Sequence, residues 1–97
     1  TQPDGLDTAH LEYQIRLLAG VADVAVTGET VPVCYVETLP GQQERVVRQI
    51  ATTAELLGFA RPVTRPVAQG TLPRTPSGKI RRVGLSTWWA ATREATA

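Results

Sequence analysis

The chain has 97 residues, 42% of them hydrophobic and 20% charged, which is the size and composition of one small globular domain and not of a disordered chain. One cysteine, Cys34, excludes an internal disulfide framework, and with the single His10 it cannot complete a four-ligand zinc site without carboxylates. The net charge of +1 conceals an asymmetry: residues 1–60 hold three Arg against eight carboxylates, whereas residues 61–97 hold seven cations against Glu94 alone.

Residues 1–7 (TQPDGLD) read as a loop, with Asp7 or Thr8 placed to cap a helix. Leu11, Ile15 and Leu18 recur at helical spacing, Glu12 and Arg16 form an i,i+4 pair on the flank, and Gly20 is placed to end the helix. Two strands follow, Val24 to Thr27 and Val31 to Thr38, joined by a tight turn at Gly28-Glu29-Thr30. Alternation puts Val31, Val33 and Tyr35 on one face of the second strand, and Cys34 and Val36 on the other. Cys34 reads as a small buried hydrophobe, and His10 as a helix-surface residue with no catalytic partner.

After a turn at Leu39-Pro40-Gly41, the stripe Val46, Val47, Ile50, Ala54 and Leu57 predicts a helix over 42–57 that Gly58 ends. Residues 62–68 are extended, and Pro62 and Pro66 make this an edge strand or strand tail. A loop runs from Gly70 through Ser77, and a last helix is expected from about Ile80, weakened by Gly84. Trp88 and Trp89 are adjacent, so both are not expected to face one core. The fold class is therefore α+β, a small three-stranded sheet covered by helices in the order α-β-β-α-β-α. A core of this size is marginal by itself. No apolar run is long enough to cross a membrane and the N-terminus has no signal-peptide pattern, so a cytoplasmic protein is expected.

The most informative stretch is Leu72-Pro73-Arg74-Thr75-Pro76-Ser77-Gly78-Lys79-Ile80-Arg81-Arg82. Two prolines stiffen it, and Gly78 permits a backbone conformation that other residues resist, directly before the chain's one lysine. A lone point charge among nine planar guanidinium groups suggests a site built for an ammonium. Pro73 and Ile80 occupy positions where a nucleotide P-loop requires Gly and Ser or Thr, which rejects that motif. No aromatic residue interleaves the cations and no nucleic-acid motif accompanies them, so nucleic acid is not an expected partner.

Residues 73–82 resemble, at every specified position, the closing motif of adenylate-forming enzymes, Pro-x-Thr-x-Ser-Gly-Lys-Ile-x-Arg. With Gly70-Thr71-Leu72 the stretch looks most like fatty-acyl-AMP ligases and long-chain acyl-CoA ligases. A looser likeness, at Leu11-Glu12 and Gly20 to Val26, extends the resemblance over most of the chain. The resemblance implies that residues 1–97 are the small C-terminal lid of such a ligase. The large N-terminal domain, which would hold most contacts to ATP and Mg2+, and the hinge motif are expected to lie upstream. In that reading Lys79 is catalytic in forming acyl-AMP from a fatty or other lipophilic acid, and Ser77 and Gly78 position it at ATP. A second lid orientation then admits the thiol of CoA or of a carrier protein's phosphopantetheine. The resemblance also implies that acetylation of Lys79 would switch the enzyme off, and that the fragment alone is inactive. The loop at 28–30 is shorter than in most acyl-CoA synthetases, so the family's CoA contacts there are not carried over. The alternative from another class is a stand-alone binding module that uses the basic loop without catalysis.

Overall fold

A computed structural model describes residues 8–28 and 31–96. The elements are α1 (Thr8–Arg16), β1 (Val21–Thr27), β2 (Val33–Thr38), α2 (Gln43–Leu56), β3 (Val63–Ala68) and α3 (Leu85–Thr96), so the expected α+β order stands. The loop expected over 1–7, the Asp7 cap and the turn at Glu29-Thr30 lie outside the described residues.

The sheet has the order β1-β2-β3. β1 and β2 pair antiparallel with Val24 opposite Val36, and β2 and β3 pair parallel with Val36 opposite Pro66. A parallel pair needs a long crossover, and α2 provides it. β3 lies at an edge, where Pro66 can sit without robbing a neighbour of a ladder bond, as Pro66 and the preceding Pro62 predict.

Alternation along β2 builds two cores. On one face Cys34 and Val36 join Leu11, Ile15, Val24, Val26, Val46, Ile50 and Ala54 under α1 and α2. On the other, Ala25 and Tyr35 meet only Leu72 and Leu85 as buried partners. The face assignment for Val33 and Tyr35 holds, but Val31 precedes β2 and is half exposed. α2 ends as predicted: Gly58 has φ of 86°, its N–H donates to Glu55 O at 3.1 Å, and the Phe59 N–H donates to Ala54 O at 2.9 Å. These two bonds satisfy carbonyls that the helix end would leave unpaired.

Three expectations are corrected. α1 stops at Arg16 and not at Gly20, because the Leu17 and Leu18 amides already turn back to Gln14 O and Ile15 O. Gly20, with φ of 90°, serves the next turn instead; a Cβ there would lie 2.9 Å from Gln42 Cβ. α3 begins at Leu85 and not at Ile80, since Gly84 holds φ of 81° and closes off any earlier helical turn. Trp88 and Trp89 both pack against the second core, because that core is shallow and each ring covers only part of it.

Candidate functional site

The stretch expected to be loop and helix start is a small hairpin. Arg74 and Ile80 form an antiparallel bridge; the Thr75 N–H donates to Lys79 O at 2.8 Å and the Gly78 N–H to Thr75 O at 2.9 Å. This is the bond pattern of a three-residue hairpin loop closed by a glycine bulge, and Gly78 has the positive φ, 91°, that the bulge requires. Pro76 and Gly78 stand where such a turn favours them. The Arg81 N–H donates to Pro73 O at 2.8 Å and extends the pairing. Thr75 Oγ1 and Ser77 Oγ lie 3.0 Å apart at the tip. Lys79 therefore leaves a hairpin tip, six residues before α3, and does not stand at a helix entry. It is exposed, as are Ser77 and Gly78, and it has no ion-pair partner among the described residues.

The hairpin's guanidinium groups are differently placed. Arg74 donates from Nη1 to Asp23 Oδ2 at 2.9 Å and to Gly78 O at 3.1 Å, and from Nη2 to Glu37 Oε1 at 2.7 Å. Glu37 is almost wholly buried and also accepts from the Leu72 N–H at 2.9 Å. Arg82 grips Glu12 with both terminal nitrogens, at 2.5 and 2.6 Å. Glu12 is buried, and its Oε1 also accepts from the Val26 N–H at 2.8 Å on the open edge of β1. The pair expected on the helix flank, Glu12 with Arg16, exists at 3.5 Å but is the weaker of Glu12's two engagements. Acids from the first half of the chain thus neutralise two cations of the second half.

The electrostatics follow. Burial raises the Glu12 carboxyl, but the hydrogen bonds from Arg82 and Val26 and the two guanidinium charges outweigh it and hold it below its ordinary value. The same contest lowers Asp23, through Arg74, the Val24 amide and Arg16. Hydrogen bonding to Asp23 and to Glu12 raises Arg74 and Arg82 in turn. Lys79, Gly78 and Ile80 line a solvent-open cleft with Arg16, Asp23 and Arg82. Of its charged residues Lys79 alone has no ion-pair partner among the described residues, since Arg16 meets Asp23 and Arg82 meets Glu12. A second concavity, at the start of α2, is lined by Glu44 and Arg48, which pair with each other at 3.7 Å.

Among the solved structures that the chain resembles are two acyl-CoA synthetases. The Brucella canis acyl-CoA synthetase matches over 86% of this chain with 26% identity and a TM-score of 0.65. The Mycobacterium tuberculosis fatty acyl CoA synthetase matches over 87% with 25% identity and a TM-score of 0.62. The chain spans only 17% and 18% of those two synthetases. Such coverage accords with a C-terminal portion of an adenylate-forming enzyme, the family that residues 73–82 resemble. No protein-family model matches the sequence, and no curated protein matches it.

Sequence reasoning singled out Lys79, Ser77 and Gly78 and missed the carboxylates behind them. A signal was present for each. Glu37 interrupts a strand of apolar residues at a position facing the second core, and Glu12 sits directly beside Leu11 on the buried side of α1. His10 is exposed on α1, and Cys34 is fully buried, its thiol pushed up to about 12 by desolvation and by the Glu12 charge.

Proposed function

We propose that this chain is the mobile lid of an ATP-dependent acid ligase. The ligase forms an acyl-AMP from a fatty or other lipophilic acid and passes the acyl group to a thiol of CoA or of a carrier protein. The observation that carries this reading is the placement of Lys79, an ammonium without an ion-pair partner among the described residues, on the tip of a braced hairpin in an acyl-CoA-synthetase-like fold. The large domain holding the acid and the nucleotide is part of the same proposal.

In the first step a carboxylate oxygen attacks the α-phosphorus, the new O–P bond forms, and pyrophosphate leaves with the electrons of the broken bond. Two anions must approach each other, and charge spreads over the phosphoryl oxygens. An ammonium ~4 Å from that charge contributes about 4 kcal/mol at an effective dielectric near 20. Acting in the transition state alone, that is roughly a thousandfold in rate. Gly78 and Ser77 contribute by shaping the tip from which Lys79 reaches out. In the second step the thiol sulfur attacks the acyl carbon and AMP leaves, with the lid turned so that Lys79 is withdrawn.

Magnesium does not fit this chain. No group of three or more His, Cys, Asp or Glu among the described residues is arranged to hold a metal ion, and Glu12, Asp23 and Glu37 are spent on guanidinium groups.

The test is Lys79→Ala in the intact ligase. ATP–pyrophosphate exchange should fall about a thousandfold, while thioester formation from supplied acyl-AMP stays near the parent rate. Equal losses in both assays, or none in either, would remove Lys79 from this catalytic role. Lys79→Arg should also be poor, because a planar fork does not occupy a point-charge site.

A further inference from the structure

The cations flanking Lys79 are spent on contacts inside the domain, so the question is what those contacts do. Arg74 meets three acceptors on three different segments: Asp23 on β1, Glu37 on β2, and the Gly78 carbonyl at the far side of its own hairpin. The last of these is the peptide that leads directly into Lys79. The Glu37 carboxylate holds the base of the same hairpin through the Leu72 amide. A fork pinned at both ends and touching the bulge fixes where the following residue leaves the backbone. Arg82 bolts the returning strand to Glu12 on α1, so the hairpin is held at both of its strands.

We propose that Arg74 is a positioning residue for Lys79, fixing the bulge peptide between residues 78 and 79 relative to the sheet through Asp23 and Glu37. This rests on the catalytic reading of Lys79 given above. Catalysis by a charge needs that charge in place before the reaction, and a shift of about 1 Å is enough to cost roughly a hundredfold. Two acidic residues on neighbouring strands, one of them the buried Glu37, do more than a surface ion pair requires, since exposed pairs hold little. A lysine at 74 could satisfy Glu37 but could not also span Asp23 and the Gly78 carbonyl.

The test is a double-mutant cycle in the intact ligase, read by ATP–pyrophosphate exchange. Arg74→Ala should lower kcat about a hundredfold with the KM for the acid nearly unchanged. In a Lys79→Ala background the same change should cost almost nothing more, because the group it positions is gone. If Arg74→Ala leaves Glu37 unpaired and the lid fails to fold, Arg74→Lys answers the same question. It keeps a charge beside Glu37, and should lose about tenfold alone and nothing after Lys79→Ala. Hydrogen exchange supplies a readout independent of catalysis: both Arg74 variants should speed exchange at the Thr75, Gly78 and Arg81 amides while the α2 amides keep theirs. Losses that multiply with that of Lys79→Ala, or unchanged exchange in the hairpin, would overturn the positioning role. If instead Lys79→Ala is itself fully active while the hairpin amides loosen in the Arg74 variants, the catalytic reading fails and the brace alone stands.

Discussion

The two faces of the sheet are built by different physics. Under α1 and α2 nine buried apolar residues interlock, with Leu11, Ile15, Val36, Val46 and Ile50 fully shielded from water. Across the sheet only four apolar residues are buried among the described residues, with the Glu37 carboxylate beside them, and the rest of that face is held by directed contacts. Arg65 lies over the rings of Tyr35 and Trp89, at 5.5 and 5.4 Å from their centroids, and its Nη1 donates to the Tyr35 hydroxyl at 3.2 Å. Arg93 lies 5.2 Å from the centroid of Trp89, which meets Tyr35 edge-on at 6.3 Å. Guanidinium–carboxylate bridges then hold the hairpin. Hydrocarbon packing is insensitive to salt and pH and gives the fold its stability. Directed polar contacts add less net energy but fix geometry, which is what a surface carrying a reactive charge needs.

That contrast can be broken or sharpened by experiment. The largest effect belongs to Ile50→Ala, which should cost about 4 kcal/mol in denaturant unfolding, because it opens a cavity in a core with no slack. A cost below about 1 kcal/mol would mean that the first face is loosely packed. On the second face Leu85→Ala should cost less, about 2 to 3 kcal/mol, since the shallow core can collapse around the gap. If Leu85→Ala proves the costlier of the two, the ranking of the faces is reversed.

Acid should separate them further. Glu12 and Asp23 lie below their ordinary values of 4.5 and 3.8 when folded. Groups depressed by folding contribute fully above the unfolded value and lose that contribution as pH falls through the folded one. Stability should therefore be flat from pH 7 to 5 in respect of these groups and decline below about pH 4.5. The hairpin amides at 75–81 should exchange faster before those of α2. Trp88 and Trp89 both pack on the second face, so tryptophan emission is a convenient second readout. Release of α2 first would contradict the division. The smallest effect is that of Arg65→Ala, about 1 kcal/mol, for the loss of two cation–π contacts and one hydrogen bond at a half-buried site. Thermal unfolding with and without about 0.5 M salt would check it, since a half-buried contact over two rings should survive screening better than the exposed bridge between Arg48 and Glu44.

The same division explains what could be read from the chain. α2, the alternation of β2 and the edge position of β3 were legible because periodicity, a positive-φ glycine and prolines act locally: Ile50, Gly58 and Pro66 each state their own surroundings. The hairpin was not, although Pro76 and Gly78 carried its turn signal, because its strands are short and pair through only one bridge. The start of α3 was misplaced because Ile80 and Val83 looked helical in spacing, while Ile80 is committed to the bridge and Val83 is exposed. Within the site, Lys79 stands out as the one lysine of a proline-stiffened loop, and the motif's resemblance gives it a role. Its supports could not be found that way: Arg74 meets Glu37 across 37 residues and Arg82 meets Glu12 across 70, and nothing in a linear charge count says which acid a given arginine will hold.

Cys34 gives the hydrocarbon face a clock. It is the chain's sole thiol, completely shielded between α1 and α2, and its pKa near 12 leaves almost no thiolate at neutral pH. A maleimide or a disulfide reagent can therefore react only with molecules in which that core has opened. The labelling rate of this one sulfur counts those openings directly, and motions of the hairpin that leave α1 seated do not change it.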